Sequence, residues 1–314
     1  MAGSVTLIEM AKGVDPATKA FIEIYSKTSD ILNAMYFTTD GVAAGVYRYN
    51  IEGALPGIAF RGINEAYTPS AGILNPQVET LKVAGGEFRV DTAEVRWKGQ
   101  GYRAKQVAMQ MKSMAALVTD KLLRGDNTSD PREPDGLQRR LPLTGSRTIS
   151  NTTASGGAAV KLSKLIEARD STMSPTHWIM NRDMRRWLSL SQSDTSVSGY
   201  FTQTADSFGN VVTRFMGLPI LVGYEVGPET QILPFTEANF GGGATTSTSI
   251  YCVNLSQDGL QMLQSQPPMA KDLGEMQSEP SWLTRAEWDI SPVIENPYCV
   301  TRLSSITNAA MTRT

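Results

Sequence analysis

Apolar positions along this 314-residue chain follow two rhythms, and the clearer one is helical. Val107, Met111, Met114, Val118 and Leu122 recur at steps of four and three, which lines them up on one helix face. No Gly or Pro interrupts the run from Tyr102 to Arg124, and Gln106, Gln110, Lys112, Ser113, Thr119 and Lys121 fill its other sides. The spacing predicts a long amphipathic helix lying across a body of protein, a spine. At 1.5 Å per residue, the roughly twenty residues from Ala104 to Leu123 span on the order of 30 Å, the width of a small domain. Gly125 follows the last periodic position and suits a left-handed C-terminal stop, while Lys121 and Arg124 set positive charge at the negative end of the dipole.

A shorter helical pattern covers residues 15–34, with Asp15 as cap, Pro16 at the first position and Phe21, Ile24, Tyr25, Ile31 and Leu32 as apolar positions. It precedes any sheet, so it is expected to dock on a distant part of the chain or on another subunit. Residues 41–49 read as loop and extended chain. From Gly57 to Gly101 the rhythm changes to period two: Phe88 and Val90 alternate with Arg89 and Asp91, and Val95 and Trp97 with Arg96 and Lys98. With residues 58–67 as the other arm, this stretch predicts a long two-stranded ribbon leaving the body. Such a ribbon is marginal alone in water, so it implies a neighbour to lie on.

Beyond the spine, Pro134-Asp135-Gly136 is turn chemistry with Gly expected at positive φ. Short strands are predicted at 141–143 and 148–149. A helix over 160–169, with Leu162, Leu165 and Ile166 on one face, is expected to pack on the spine. Then follow a buried strand at 176–180, a helix over 182–190 carrying Met184, Trp187 and Leu188, and a Ser- and Thr-rich loop at 192–206. Strands are expected on both sides of Met216-Gly217-Leu218-Pro219, at 229–235, at 249–255, after Gly259, and through 282–306. This order argues an α+β fold with a second lobe inserted before the chain rejoins the spine.

Composition narrows the function. Apolar content of 41% and charged content of 19% are ordinary for a globular protein, and 29 Lys+Arg against 31 Asp+Glu give no field that favours nucleic acid or an anionic membrane. No hydrophobic run approaches a bilayer span, and the first residues lack the basic-then-apolar order of a secretory signal. The one His, His177, lies in an apolar run without a nucleophile motif, and Cys252 and Cys299 are far apart, so no His-based triad or zinc site can be assembled. Phosphate-binding glycine motifs are absent, and Gly241–Gly243 reads as a surface loop. Arg124-Gly125-Asp126 spells an adhesion tripeptide but suits a helix end better. Asp126, Thr128 and Asp130 imitate a calcium loop in which Pro131 and Leu137 stand where Gly and Glu are required, and Asn127-Thr128-Ser129 is a chance glycosylation match. Neither a catalytic residue nor a metal or cofactor is expected, and only carboxylate-based catalysis stays open.

FRGINEAY and GGEFRVD as arms of an extended loop, a spine ending LLRGD, the turn PDGLQRRL, THWIMNRDMRRWL and GLPILVGYE together resemble, by order and spacing, the major capsid protein of tailed bacteriophages with the Hong Kong 97 fold. The resemblance implies an N-terminal arm at 1–52, an extended loop at 53–100, a peripheral domain at 101–174 and 282–314, and an axial domain at 175–281. It implies a subunit of an icosahedral phage head, assembling into hexamers and pentamers in the bacterial cytoplasm and enclosing double-stranded DNA without sequence-specific binding. Portal and cement proteins are implied partners. Because the arm begins within a few tens of residues of the loop, a separate scaffolding protein, or a mature sequence with an added Met, is expected. Some relatives cross-link a Lys on the loop to a peripheral-domain Asn, for which Lys82 and Asn296 are the counterparts; noncovalent cohesion is the preferred expectation. Arg61, Glu65, Glu87 and Arg89 are candidate subunit-interface residues, or equally the wetted face of a strand. An encapsulin-like cellular shell and a carboxylate-dependent enzyme between two lobes are the alternatives.

Overall fold

In the computed structural model, which describes residues 22, 24, 28–191, 198–205, 211–223 and 231–313, the spine is one unbroken helix, Gln100–Arg124. Met111, Met114, Val118 and Leu122 are buried along it and Val107 packs against the same core. Thr119, expected on the polar side, is fully buried: its hydroxyl lies 2.8 Å from the Ala115 carbonyl and 3.0 Å from Ser29 Oγ. That contact seats a short helix, α1 (Asp30–Ala34), on the spine. The Asp30 carboxylate accepts from the Val222 and Gly223 amides at 2.8 and 2.6 Å, so this part of the N-terminal helix docks within its own chain. The expected start of that helix, around Asp15, Pro16, Phe21 and Tyr25, lies outside the described residues.

Two glycines close the spine in a way the sequence did not suggest. Gly125 has φ −55° and Gly136 φ −79°, so neither is left-handed. A Cβ on Gly125 would lie 2.3 Å from the Pro134 carbonyl, and one on Gly136 2.7 Å from the Gly125 amide. Glycine is required because two backbones cross there with no space for a side chain. Gly136 then opens α4 (Leu137–Arg140), and among the helices whose full range is described two come before the spine. The second of these, α2 (Thr92–Lys98), replaces the strand expected there. Its strand partner has run out, since Asp91 pairs with Ser281 at the start of β14 (Ser281–Ile294), and the Asp91 side chain caps the helix at the Ala93 amide. The spine is therefore α3.

A seven-stranded sheet forms the centre, in the order β6 (Thr148–Ser150), β15 (Val300–Ile306), β11 (Thr248–Val253), β7 (His177–Ile179), β10 (Leu218–Leu221), β9 (Val211–Phe215), β8 (Phe201–Ala205). Its inner strands β11, β7 and β10 carry apolar side chains on successive residues because both faces are covered. Tyr251, Val253, Ile179 and Leu221 face the core beneath the spine and α1. Ile250, Cys252, Trp178 and Ile220 face a second core under α5 (Leu162–Asp170) and α6 (Arg182–Leu190). Helix α5 thus packs on β15 and β6, not on the spine as expected. Segment 201–205, expected as loop, is a strand; 141–143 and the described part of 229–235 are not strands. The expected loop at 192–197 and 206–210 lies outside the described residues.

The second sheet carries the spine. Strand β14 pairs along one edge with β5 (Lys82–Asp91) and along the other with β12 (Leu260–Gln264) and β13 (Met269–Glu275), and β12 takes β1 (Phe37–Thr38) in parallel. Phe88, Val90, Ala286 and Trp288 face inward, while Glu87, Arg89, Arg285 and Glu287 are wet.

One buried ion pair joins these layers. Arg302 on β15 is 2% exposed; its Nη2 meets Glu237 Oε2 at 2.9 Å, its Nε donates to Ser249 Oγ at 2.9 Å, and its Nη1 donates to the Leu141 carbonyl at 2.7 Å. Removing one partner of such a pair leaves an uncompensated charge and costs ~3–5 kcal/mol. Glu237→Ala is therefore expected to lower unfolding stability by about that much in denaturant titration; a loss within the noise of the titration would show that the pair does not hold the layers. Met114→Asp places a charge in the spine's core and is expected to leave no soluble subunit with native circular dichroism, because the penalty approaches a total stability of ~5–15 kcal/mol. Recovery of folded Met114→Asp subunit would refute the assignment of that face.

Candidate assembly interface

The ribbon is built from other strands than the pattern suggested. Its ascending arm is β3 (Val46–Ala54), in the segment read as loop and extended chain, and its descending arm is β4 (Ile73–Thr80), with β2 (Val42–Ala43) added at the base. Residues 58–67, expected as an arm, belong to the loop 55–72 at the tip. A short signal is present, since Tyr47, Tyr49 and Ile51 alternate with Arg48, Asn50 and Glu52 and are half-buried on one face of β3, whereas β4 is exposed almost throughout and shows no apolar alternation.

At its root the ribbon is clamped. Arg140 of α4 grips Glu79 of β4 with two parallel bonds, at 2.6 and 2.9 Å, and also donates to the Pro292 and Asp135 carbonyls at 2.9 and 2.8 Å. Burial opposes the Arg140 charge, yet the bonds to Glu79 outweigh it and hold its pKa above the ordinary value. Tyr47 of β3 donates to Glu295, which also accepts from Gln261 Nε2 at 2.9 Å. Burial first, and then Glu295, push the Tyr47 phenol upward, so it stays a donor throughout the physiological range. A fork-to-fork Arg–carboxylate pair fixes direction as well as distance. The root therefore sets the angle at which the ribbon leaves the body.

At the tip nothing is covered. Leu55 is 79% exposed, Ile58 94%, Phe60 107%, Ile63 94% and Tyr67 68%, and along the strand Ile73, Leu74 and Val78 are 58–62% exposed. Scattered exposed apolar residues are normal, but a cluster of this size marks a surface that meets another molecule.

The four candidate interface residues fall in two places. Arg61 and Glu65 lie in the tip loop, where Arg61 donates to the Glu65 carbonyl at 3.1 Å and stacks over Tyr67, and Glu65 accepts from the Gly62 amide at 2.7 Å. Glu87 and Arg89 lie on the wet face of β5, paired to Arg285 at 2.5 Å and to Glu279 at 3.1 Å within the chain. Lys82 donates to the Pro131 carbonyl at 2.7 Å and Asn127 Oδ1 at 3.3 Å, while Asn296 caps the turn at Tyr298. The apolar tip residues lie outside both rhythms; a run of Leu, Ile, Phe, Ile and Tyr among Gly and Pro is the signal in the sequence that points to them.

Other candidates occupy structural positions. Half-buried His177 bonds to Thr176 Oγ1 at 2.9 Å, and burial followed by the Arg214 charge holds its pKa below the ordinary value. Burial pushes the Cys252 thiol up to about 12, which keeps it protonated. Asp126 spends its carboxylate on Thr128 and Ser129, which draws it down to about 2, and Gly125 beside it is buried, so the adhesion-like tripeptide is a helix end. Among the described residues no three His, Cys, Asp or Glu side chains group as metal ligands, and no helix is long and apolar enough to cross a membrane.

No protein-family model matches the sequence, and no curated protein matches it. Solved structures do. The chain superposes on a subunit of the holo-SrpI encapsulin complex from Synechococcus elongatus with a TM-score of 0.63 at 14% identity, covering 90% of this chain and 89% of that one. A chain of Mycobacterium phage Adephagia gives 0.62 at 11% identity, covering 91% of both. The capsid of a native GTA particle gives 0.58 at 12% identity, covering 94% and 92%. Likeness over nine-tenths of the chain shows that this protein has the α+β Hong Kong 97 fold of capsid and encapsulin shells.

Proposed function

We propose that this protein is the structural subunit of an icosahedral phage head, assembling into hexamers and pentamers that enclose packaged double-stranded DNA. The carrying observation is the ribbon: a rigid two-stranded lever, clamped at its root and ending in five large apolar side chains that its own chain leaves exposed. A monomer has no use for that surface, whereas a shell gives every ribbon a neighbour. Similarity to subunits from capsids supports the same reading. Division into arm, extended loop, peripheral and axial domains, the partnership with scaffolding, portal and cement proteins, and a location in the virion after assembly in the host cytoplasm belong to this proposal, as does the absence of enzymatic activity. Interface roles for Arg61 and Glu65 are compatible with their place at the tip. Those of Glu87 and Arg89 require that they serve a neighbour while paired to Arg285 and Glu279.

The encapsulin complex among the similar structures favours a second reading, a cellular shell that encloses protein cargo. Expression of the chain, alone and with any scaffold encoded beside it, followed by negative-stain electron microscopy, is expected to give closed particles or hexameric rings. A uniform small oligomer under both conditions would overturn the shell. Nucleic acid inside native particles separates the phage head from a compartment filled with a co-purifying enzyme.

Root and tip are separable. Replacing residues 55–72 by Asn-Gly joins paired residues Ala54 and Ile73 through a two-residue turn. The expected product is a folded subunit, native by circular dichroism, that forms no closed particles; normal particles would remove the tip from assembly. Glu79→Gln leaves Arg140 half-buried without its carboxylate. It is expected to cost ~2 kcal/mol in subunit stability and to broaden particle size in electron micrographs. Unchanged size and stability would show that the clamp does not set the ribbon.

A further inference from the structure

Beside the clamp at the ribbon's root, ribbon and body enclose an open cleft of about 400 Å³. That is within the range of small-ligand sites, ~300–1,000 Å³. One side of the cleft is the inner face of the ribbon. Tyr49 stands opposite Gln77 in the β3–β4 pairing, so the two side chains leave the ribbon together, and Ile51 continues the same face. The other side is the turn 142–147, which is fixed before any ligand arrives: the Gly145 amide donates to the Pro142 carbonyl at 2.8 Å and the Thr148 amide to the Gly145 carbonyl at 3.0 Å. This turn brings Ser146 and Arg147 to the cleft, and Leu141 and Ile294 add apolar surface.

The cleft carries an unbalanced positive charge. The one carboxylate among its described lining residues, Glu79, has both oxygens held by Arg140. Arg147 has no such partner. Its Nη2 donates to the Ser171 and Tyr298 carbonyls and, at 2.9 Å, to Thr301 Oγ1. Among the described residues its Nη1 meets no acceptor, its Nε is buried without one, and no carboxylate pairs with it. Burial draws the Arg147 pKa below the ordinary value, opposed only by Tyr298 and Cys299, yet a guanidinium stays charged all the same. A half-buried cation without a counter-ion is unfavourable, and an anion in the cleft removes the imbalance.

We propose that this cleft binds a small organic carboxylate, with Arg147 as its counter-ion, Ser146, Gln77 and Tyr49 as further donors, and Ile51, Leu141 and Ile294 against its apolar body. A planar carboxylate matches the guanidinium fork. One uncompensated cation beside apolar walls selects a monoanion with an apolar body over inorganic phosphate, whose second charge and hydrated oxygens find no partner there. The site does not depend on the shell reading. A ligand seated in it touches ribbon and body at once, and so braces the root beside the Arg140–Glu79 pair.

The test photolyses the purified full chain with para-azidobenzoate and maps the labelled peptides by mass spectrometry, with benzoate, benzamide and inorganic phosphate as competitors. Label is expected within residues 49–51, 77–79, 140–147 or 294–297, displaced by benzoate but not by equal concentrations of benzamide or phosphate. Saturation-transfer NMR then gives the benzoate Kd. Arg147→Gln is expected to abolish binding. Should that variant fail to fold, since it also drops the bonds to Ser171 and Thr301, the exposed position 77 carries the test: Gln77→Glu is expected to raise the Kd about tenfold and Gln77→Lys to lower it. Label confined to other peptides would overturn the site. Equal displacement by benzamide would remove the charge from recognition, equal displacement by phosphate would remove the organic carboxylate, and one Kd shared by both Gln77 variants would place benzoate elsewhere; each overturns the proposal.

Discussion

The guanidinium of Arg302 is where the layers of this subunit are tied together. Like β11, β7 and β10, its strand contributes to both cores, with Val300 facing the spine side and Leu303 and Ile306 the other. From there it reaches the carbonyls at the end of α4, Ser249 on the next strand and Glu237 in the loop before β11. Replacement of such a pair by apolar side chains is often neutral or better for stability, so its value here is geometric. Five donors in a fixed fork accept only one arrangement of α4, sheet and loop. Since Arg140 on the same short helix clamps the ribbon, the position of α4 is transmitted from a buried charge to the part of the molecule that projects furthest.

What was legible in the sequence follows from what a core selects. Val107, Met111, Met114, Val118 and Leu122 could be read because one side of the spine is buried and the other is wet. Helix Arg182–Leu190 was legible for the same reason, and strand 249–253 by its unbroken apolar run. Thr119 was misjudged because a buried hydroxyl bonded to its own helix backbone and to Ser29 looks, in sequence, like a surface residue. Val95 and Trp97 alternate like a strand but lie where β14 has ended, and a strand without a partner yields to a capped helix. Gly125 and Gly136 were seen as stops and turns, whereas their role is to let two backbones touch, a tertiary fact with no local signature.

The ribbon was expected in kind but misplaced by a dozen residues, and its own physics explains the error. Strand β4 is exposed almost throughout and β3 is no more than half-buried at Val46, Tyr47, Tyr49 and Ile51, so the pattern that identifies strands is weak in the ribbon. Under the proposed function, their surface is shaped by a contact that one chain does not contain. The same reasoning explains why Glu87 and Arg89 were drawn into the candidate interface: charged residues alternating with buried Phe88 and Val90 are what a wet sheet face requires, whether or not a neighbour approaches it. Apolar residues without periodicity, such as Ile58, Phe60 and Ile63, mark exposed apolar surface more directly than charged residues within a period.

A lever fixed at one end and apolar at the other also imposes a condition on assembly. The root is held by charged and phenolic groups whose geometry is directional, while the tip offers only dispersion and burial, which are tolerant of angle. Under the proposed function, a subunit in a five-fold ring and one in a six-fold ring would have to present their ribbons at different angles to the next copy. A directional root with a tolerant tip meets that demand at the tip, where an apolar side chain can rotate without breaking a hydrogen bond. The reverse arrangement, a loose root and a polar tip, would lose its bonds at one of the two symmetries. The distribution of polar and apolar groups along the ribbon is therefore itself an argument for a subunit that must close into more than one ring.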